Sequence, residues 1–457
     1  MWAQIEAWVA KVDGFIWGPP LMVLLVGTGI YLSIRLALVQ FRGFSHGIRV
    51  LKGDYDDEND SGEITHFQAL SAALSATVGT GNIVGVAAAI LAGGPGAAFW
   101  MWVTALVGMA TKFTSCTLAV HFRRIDESGE AHGGPMHFIE MGMGKKFKWL
   151  AVLFAFFTIC ASFGIGNMFQ INNCAISLNK MLGNVADKFP LFNLVVGIVF
   201  ATLVGSVIIG GIKSIGRFAA RIAPFMCVFY MTAGLIILVR HAGELPGAIG
   251  TIFYHAFHKP EALAGGLLGT VIKSGVARGL FSNEAGMGSA AMAHGAARTN
   301  EPVREGLVAM LGPFIDTILV CSVTALVIVV TGAYEVCDVK GELTGKAFEM
   351  GLNSGIGSHI VAAGIILFSF STLISWSYYG DRAADYLFGK KAVKPYRYIY
   401  LVFIVIGAVA KVSFVIDFSD AANGLMAIPN LIALLVLAPL VVNLTRDYFS
   451  RMENDKE

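Results

Sequence analysis

Long apolar runs separated by short polar stretches recur along the whole chain. About 20 apolar residues are needed to cross a bilayer as a helix. By that measure the pattern predicts eleven spans, at about 17–39, 68–92, 97–120, 149–178, 191–211, 219–240, 262–297, 305–331, 356–380, 398–416 and 424–445. Two are irregular. Span 68–92 is interrupted by Gly79 and Gly81, and span 262–297 exceeds what a bilayer requires and is interrupted by Gly279, Gly286 and Gly288. The expected fold class is an all-α polytopic membrane protein.

Composition agrees. Of 457 residues, 56% are hydrophobic and only 14% charged, where a soluble chain carries roughly a quarter charged. The 53 glycines suit close helix packing and broken helices in lipid. The net charge of +2, without any Lys/Arg run, gives no sign of a nucleic-acid partner. Glu6, Lys11 and Asp13 in the first 17 residues argue against a cleavable signal peptide. The six cysteines lack CxxC spacing and read as small buried hydrophobes. The acidic run 52–63 reads as a solvated loop. His132 and His137, flanking Gly-Gly-Pro-Met, supply too few ligands for a metal site.

Loop basicity sets an orientation. Alternate connections hold 22 cations on one side, including Arg35, Arg123, Lys213, Arg298, Arg382 and Arg446. The other side holds seven: Lys11, Lys180, Lys188, Arg240, Lys259, Lys340 and Lys346. Lys112, Lys273, Arg278 and Lys411 fall within spans. The N-terminus is then expected outside and the C-terminus in the cytoplasm of a plasma (inner) membrane.

The two interrupted spans align with each other. Ser75-Ala-Thr-Val-Gly79-Thr-Gly81-Asn82 falls against Ser282-Asn-Glu-Ala-Gly286-Met-Gly288-Ser289, 207 residues later. By the loop count they run in opposite directions. The expected organisation is an N-terminal segment with an extra span and a cytoplasmic loop (1–67), a first five-helix unit (68–240), and an inverted second unit with the C-terminus (241–457). Paired interrupted spans in inverted repeats point to a midplane binding site in secondary transporters.

A break at that depth has chemical consequences. Unwound N–H and C=O groups are costly in lipid unless a cavity or ligand satisfies them. A half-helix amino end suits a carboxylate, and a carboxyl end suits a cation. An amino acid with an accompanying cation matches both. No phosphate loop or HExxH motif is present, which argues against ATP drive and against a zinc hydrolase. Uphill transport must draw on an ion gradient.

Ionisable groups within spans are functional candidates: Lys273, Arg278, Glu284 and Asp316. Arg278 and Glu284 are close enough in a bent segment to pair, and Asp316 reads as a capped or paired structural group rather than a proton site. Ser369, Ser371, Thr372, Ser375 and Ser377 form a hydroxyl-rich stretch, with Trp376 on the face of Thr372. Asn167 and Gln170 place two amides in an apolar helix, open to bundle or ligand contact.

Gly93-Gly-Pro-Gly-Ala-Ala-Phe-Trp-Met-Trp-Val-Thr-Ala-Leu-Val-Gly108 resembles the signature of the alanine or glycine:cation symporter family, and so do Ala76–Gly85, Gly279–Ser289 and Ser371–Gly380. The resemblance covers nearly the whole chain. It implies the LeuT-type five-plus-five inverted repeat with an extra leading helix, and sodium-coupled uptake of alanine or glycine. It places a sodium ion against the Ser75, Val78 and Phe368 carbonyls and the Ser371 and Thr372 hydroxyls. Thr77 and Asn82 match a second sodium position of the wider fold. The amides of Gly79, Thr80 and Gly81 would hold the substrate carboxylate, and carbonyls around Phe281, Ser282 and Glu284 the ammonium. Phe281, Met287, Trp376 and Gln170 would bound the side chain. The alternative is a proton-coupled or glutamine-preferring symporter with Glu284 or Asp316 as proton carrier. Rivals of other kinds are a channel and a membrane-embedded enzyme.

Overall fold

The computed structural model describes residues 2–127, 129–258, 269–339 and 341–454. Residues 262–268 of the second interrupted span, and the cations Lys259, Lys340 and Lys456, lie outside the described residues. Almost every described element is helical, and most predicted apolar runs fall on helices, while Trp2–Ile16, Leu245–Phe257 and Leu343–Leu352 are helices outside those runs. Among the described residues, seven helices are long and apolar enough to cross a membrane, or up to nine if two bent pairs each count as one span. Phe192–Ile208 is a further, shorter apolar helix. The chain is a multi-pass membrane protein.

Several boundaries differ from the sequence reading. The helix of the first predicted span, Pro19–Arg35, follows an earlier helix at Trp2–Ile16 and ends at Arg35, because Ala37 and Leu38 turn in left-handed backbone before a short helix at Val39–Arg42. Predicted span 398–416 stops at Val409, where Ala410 is extended and Lys411, placed outside the helix, pairs with Glu6 at 3.1 Å. The following helix then runs unbroken from Val412 to Asn454. Gly279 does not break its helix. It lets Thr270–Asn283 pack on Ala97–His121, since a Cβ there would meet Thr104 Oγ1 at 2.4 Å.

The first interrupted span starts with a capping box. Thr65 Oγ1 accepts from Gln68 N at 3.2 Å while Gln68 Oε1 accepts from Thr65 N at 3.0 Å. Beside this start, the segment after the second break pairs with it. Glu63 N donates to Ala296 O at 2.8 Å, Arg298 N to Ile64 O at 2.7 Å, and Thr299 N to Ser61 O at 3.0 Å. Buried Glu305 joins the same junction, accepting from both His66 and His294. These ties hold the two broken segments side by side, so that their breaks face each other.

A short antiparallel hairpin, Arg124–Ile125 with Ala131–His132, packs under the end of the Ile356–Phe388 helix. Glu130 pairs with Arg382 at 2.6 Å and with Lys390 at 2.8 Å, His132 with Asp385 at 3.0 Å and with Asp126 at 3.3 Å, and Ala131 N donates to Glu63 at 3.0 Å. Asp126, Glu130 and His132 lie close enough to hold a metal ion among the described residues, but Lys390 and Arg382 already neutralise the two acids. The hydrogen bond to Asp385, with that to Asp126, raises the His132 pKa above its ordinary value. A raised histidine pKa stabilises the fold at low pH, and that contribution is lost as pH rises through the raised value. The hairpin of the wild type should therefore become more protease-sensitive as pH rises from 6 to 9, and His132→Gln should flatten that dependence.

Candidate functional site

At the first break, the helix His66–Thr77 ends, Val78 and Gly79 run extended, Thr80–Asn82 form one tight turn, and Val84–Gly93 resumes helically at a bend of 61°. Neither Gly79 nor Gly81 has positive φ. Gly79 is required by proximity: a Cβ would stand 2.9 Å from Thr372 Oγ1 and 3.3 Å from Gln170 Oε1. Gly81 faces the other break, with Phe281 Cδ1 and Ser282 Cα each 3.5 Å from where its Cβ would be.

The second break does use left-handed backbone. Thr270–Asn283 ends where Glu284 (φ 53°), Gly286 (φ 90°) and Gly288 (φ 85°) reverse the chain, and Ala290–His294 follows. A Cβ at Gly286 or Gly288 would also collide with Leu25 or with Pro135 and Asn430. A non-glycine residue at φ > 0, as at Glu284, is sparsely populated and clusters at functional sites.

Oxygens gather beside the first break. Thr372 Oγ1 donates to Ser75 O at 3.1 Å, and Ser371 Oγ donates to Ser75 O at 3.2 Å and to Phe368 O at 2.9 Å. Ser75 Oγ donates to Ser371 O at 3.2 Å. Four of the five residues assigned to a sodium ion (Ser75, Phe368, Ser371 and Thr372) thus meet, fully buried, through hydroxyl and carbonyl oxygens, with Met226 Sδ 3.2 Å from Ser371 Oγ beside them. Val78 is buried nearby in extended backbone. Neutral hydroxyl and carbonyl oxygens are hard ligands, suited to an alkali cation rather than a transition metal. The other members of the hydroxyl stretch do not all join: Ser377 turns back onto Ile374 O. Thr77 Oγ1 also back-bonds, to Ala73 O, and Asn82 Oδ1 accepts from Gly79 N at 2.9 Å.

Gln170 reaches the amino side of the first break. Its Oε1 accepts from Thr80 Oγ1 at 3.1 Å and from Thr80 N at 3.4 Å, while its Nε2 is held by Ile165 O at 3.0 Å. Ile165 lies in a π-helical turn, Gly164–Met168, of the kind that often sits at functional sites. The two amides of this helix divide: Gln170 faces the break, while Asn167 donates to Tyr400 O at 2.8 Å and holds the bundle together.

A second π-helical stretch, Phe314–Cys321, brings buried Asp316 between the breaks. Its carboxylate accepts from Asn82 Nδ2 at 2.7 Å, from Ser282 Oγ at 2.9 Å and from Thr317 Oγ1 at 2.7 Å. One side chain therefore joins both interrupted segments, the capped role read from the sequence. The Arg278–Glu284 pair does not form. Arg278 instead pairs with Asp420 at 3.0 Å and lies over the Phe281 ring. The left-handed turn at Glu284 points its carboxylate away, to Trp376 Nε1 at 3.0 Å and Ser289 Oγ at 2.5 Å.

Trp376 packs against Gly166, where any Cβ would lie 2.4 Å from the Trp376 side chain. Phe281 meets Phe169 edge-on. The structure thus brings together Gly79, Thr80, Gly81, Asn82, Gln170, Phe281, Ser282 and Thr372, with Trp376 and Glu284 joined as an adjoining wall. Met287 is fully buried, and its amide bonds to Glu284 O within the turn. The sequence reading placed Lys112 within a span but gave no role to it, or to Gly166; Lys112 Nζ donates to Asn283 O at 3.0 Å. An isolated lysine in an apolar run was the available signal for the first. Nothing in the pattern marked the second.

Residues 2–457 match the Sodium:alanine symporter family. The chain belongs to this family. It is 45% identical over 453 residues to the sodium/alanine symporter AgcS of Methanococcus maripaludis, covering 98% of each chain. A transporter of Haemophilus influenzae is also 45% identical, over 455 residues, covering 98% of this chain and 97% of that one. The crystal structure of MhsT in complex with L-phenylalanine shares the fold at TM-score 0.57 and 12% identity, covering 84% of this chain and 98% of that one. Family membership makes the chain a transporter rather than an enzyme.

Proposed function

We propose that the protein is a sodium-coupled symporter that imports alanine, and glycine as a smaller substrate, by alternating access. Its architecture is the LeuT-type five-plus-five inverted repeat with an extra leading helix, eleven spans in all. The N-terminus faces outward and the C-terminus the cytoplasm, following the excess of cations on one set of loops. Sodium sits among the Ser75, Val78 and Phe368 carbonyls and the Ser371 and Thr372 hydroxyls. The substrate carboxylate meets the amides of Gly79, Thr80 and Gly81, its ammonium the carbonyls at Phe281–Glu284, and its side chain the space bounded by Gln170, Phe281, Met287 and Trp376.

One observation carries the reading. Thr372 Oγ1 both contacts the ion-site carbonyl of Ser75 and stands against Gly79 in the break that takes the carboxylate. Ion and substrate then share a wall, so each affects the other's binding, and linkage makes that effect reciprocal.

Uptake by proteoliposomes under imposed gradients tests this. An inward sodium gradient should accumulate alanine, and a proton gradient alone should not. Accumulation on protons alone, or stronger accumulation of glutamine than of alanine, would favour the alternative reading instead. Flux without accumulation would mark a channel.

Removing one neutral ligand should weaken the ion more than the substrate. A hydrogen-bonding group contributes about 1 kcal/mol net, and 1.4 kcal/mol is tenfold. Thr372→Ala should therefore raise the sodium concentration for half-maximal uptake by roughly 5- to 10-fold, while alanine affinity at saturating sodium changes by less than about threefold. An unaltered sodium dependence would remove Thr372 from the ion site.

A further inference from the structure

Lys112 is buried midway along Ala97–His121. Its Nζ donates to the main-chain carbonyl of Asn283, the last residue of Thr270–Asn283. That carbonyl belongs to a half-helix carboxyl end, where unmet carbonyls and the helix dipole concentrate negative potential. The next residue is Glu284. Lys112 and Glu284 line a common void of about 10 Å³ with Gly286 and Gly288, room for about one water. Gly312 passes beside the ammonium: a Cβ there would touch Nζ at 3.5 Å and Cε at 3.7 Å. One turn further along that segment is Asp316, which clasps the two breaks.

The charges near the second break can be counted. Arg278 is taken up by Asp420. What remains is two buried carboxylates, Glu284 and Asp316, and one buried ammonium, Lys112. Charges at membrane depth are costly unless matched by partners. The fixed ammonium shares its void with Glu284, while Asp316 is already met by three neutral donors, so the second break has its cation built in.

We propose that Lys112 is a tethered cation occupying, at the second break, the place that a second coupling ion would otherwise fill, so that a single sodium ion travels with each substrate molecule. The proposal rests on the sodium:amino-acid symport reading. Because the tethered ammonium stays with the protein, it adds nothing to the charge moved. A zwitterionic substrate carries no net charge, so each turnover moves one positive charge inward. Thr77 and Asn82, at the first break, are engaged with protein neighbours, Thr77 with its own helix and Asn82 with Gly79 and Asp316.

The decisive experiment uses wild-type protein in proteoliposomes. The charge moved per alanine is obtained from the membrane potential that just cancels uptake at a set sodium gradient. One charge per alanine is expected, and two would overturn the proposal. Lys112→Ser removes the ammonium, opens space and leaves a hydroxyl ligand. It should make sodium dependence cooperative, with the Hill coefficient rising from about 1 toward 2, and should move two charges per alanine. Lys112→Arg should keep the wild-type ratio. A Lys112→Ser carrier with an unchanged Hill coefficient and ratio would overturn the tethered-cation role. If that variant does not fold, the wild-type ratio still decides. Absence of any sodium-driven alanine uptake is a separate result, which overturns the transport reading and the stoichiometry with it.

Discussion

Gly79→Ala should lower sodium-driven alanine uptake by roughly 10- to 100-fold while leaving the protein folded. The added Cβ would stand 2.9 Å from Thr372 Oγ1 and 3.3 Å from Gln170 Oε1. Threonine is stiff at χ1, and this hydroxyl is held by Ser75 O. To yield, it must leave the ion-site carbonyl. Alternatively the extended segment backs away, which separates Thr80 from Gln170 and Gly81 from Phe281. Either outcome damages a site, because overpacking costs about 1–3 kcal/mol and each 1.4 kcal/mol is tenfold. Backbone strain is not the cause, since φ at Gly79 is −134° and alanine adopts that value freely. Uptake assays beside thermal unfolding in detergent check the expectation. Wild-type uptake and sodium dependence in the variant would show that Gly79 does not stand between the ion and the substrate.

Asp316→Ala should abolish transport and destabilise the protein. The carboxylate is the acceptor for Asn82 Nδ2, Ser282 Oγ and Thr317 Oγ1, all buried. Truncation takes the shared acceptor from all three: Asn82 Nδ2 keeps only the Asp316 main-chain carbonyl at 3.1 Å and Cys321 Sγ, Ser282 Oγ keeps only Cys321 Sγ, and Thr317 Oγ1 loses the carboxylate, at about 1 kcal/mol for each bond lost. It also loosens the link between the two breaks, since each gives one donor to the carboxylate. Thermal unfolding should begin at least roughly 5 °C earlier, on the usual scale of a few degrees per kcal/mol. Asp316→Asn keeps shape and one acceptor oxygen but sets an amide against a donor, so it should fall between alanine and wild type. An alanine variant with wild-type unfolding and uptake would make the clasp dispensable.

Much of this architecture was legible in the sequence. Apolar runs located the helices because lipid forces every backbone group to be satisfied within the segment. The matched Gly-x-Gly motifs located both breaks, and the hydroxyl stretch at 369–377 located the helix facing the first. What the sequence reading missed depends on which side chain a turn points where. It placed Arg278 and Glu284 within reach of each other, but the left-handed residue at Glu284 sends its carboxylate to Trp376, and Arg278 finds Asp420 in the last long helix. It marked Gly279 as a break, yet that residue only makes room for Thr104. It marked Gly79 as an interruption of its span, and closeness to Thr372, not a positive φ, is what requires a glycine there. The two π-helical stretches that aim Gln170 and Asp316 have no periodicity distinct from their parent helices, so they left no trace in the pattern.

The claim that ion and substrate share one wall is tested most directly by calorimetric titration of alanine into the purified protein, once in sodium chloride and once in choline chloride at equal ionic strength. The account predicts that sodium tightens alanine binding at least tenfold, that alanine tightens sodium by the same factor, and that Gly79→Ala abolishes the coupling. Equal alanine affinity in the two salts would contradict it.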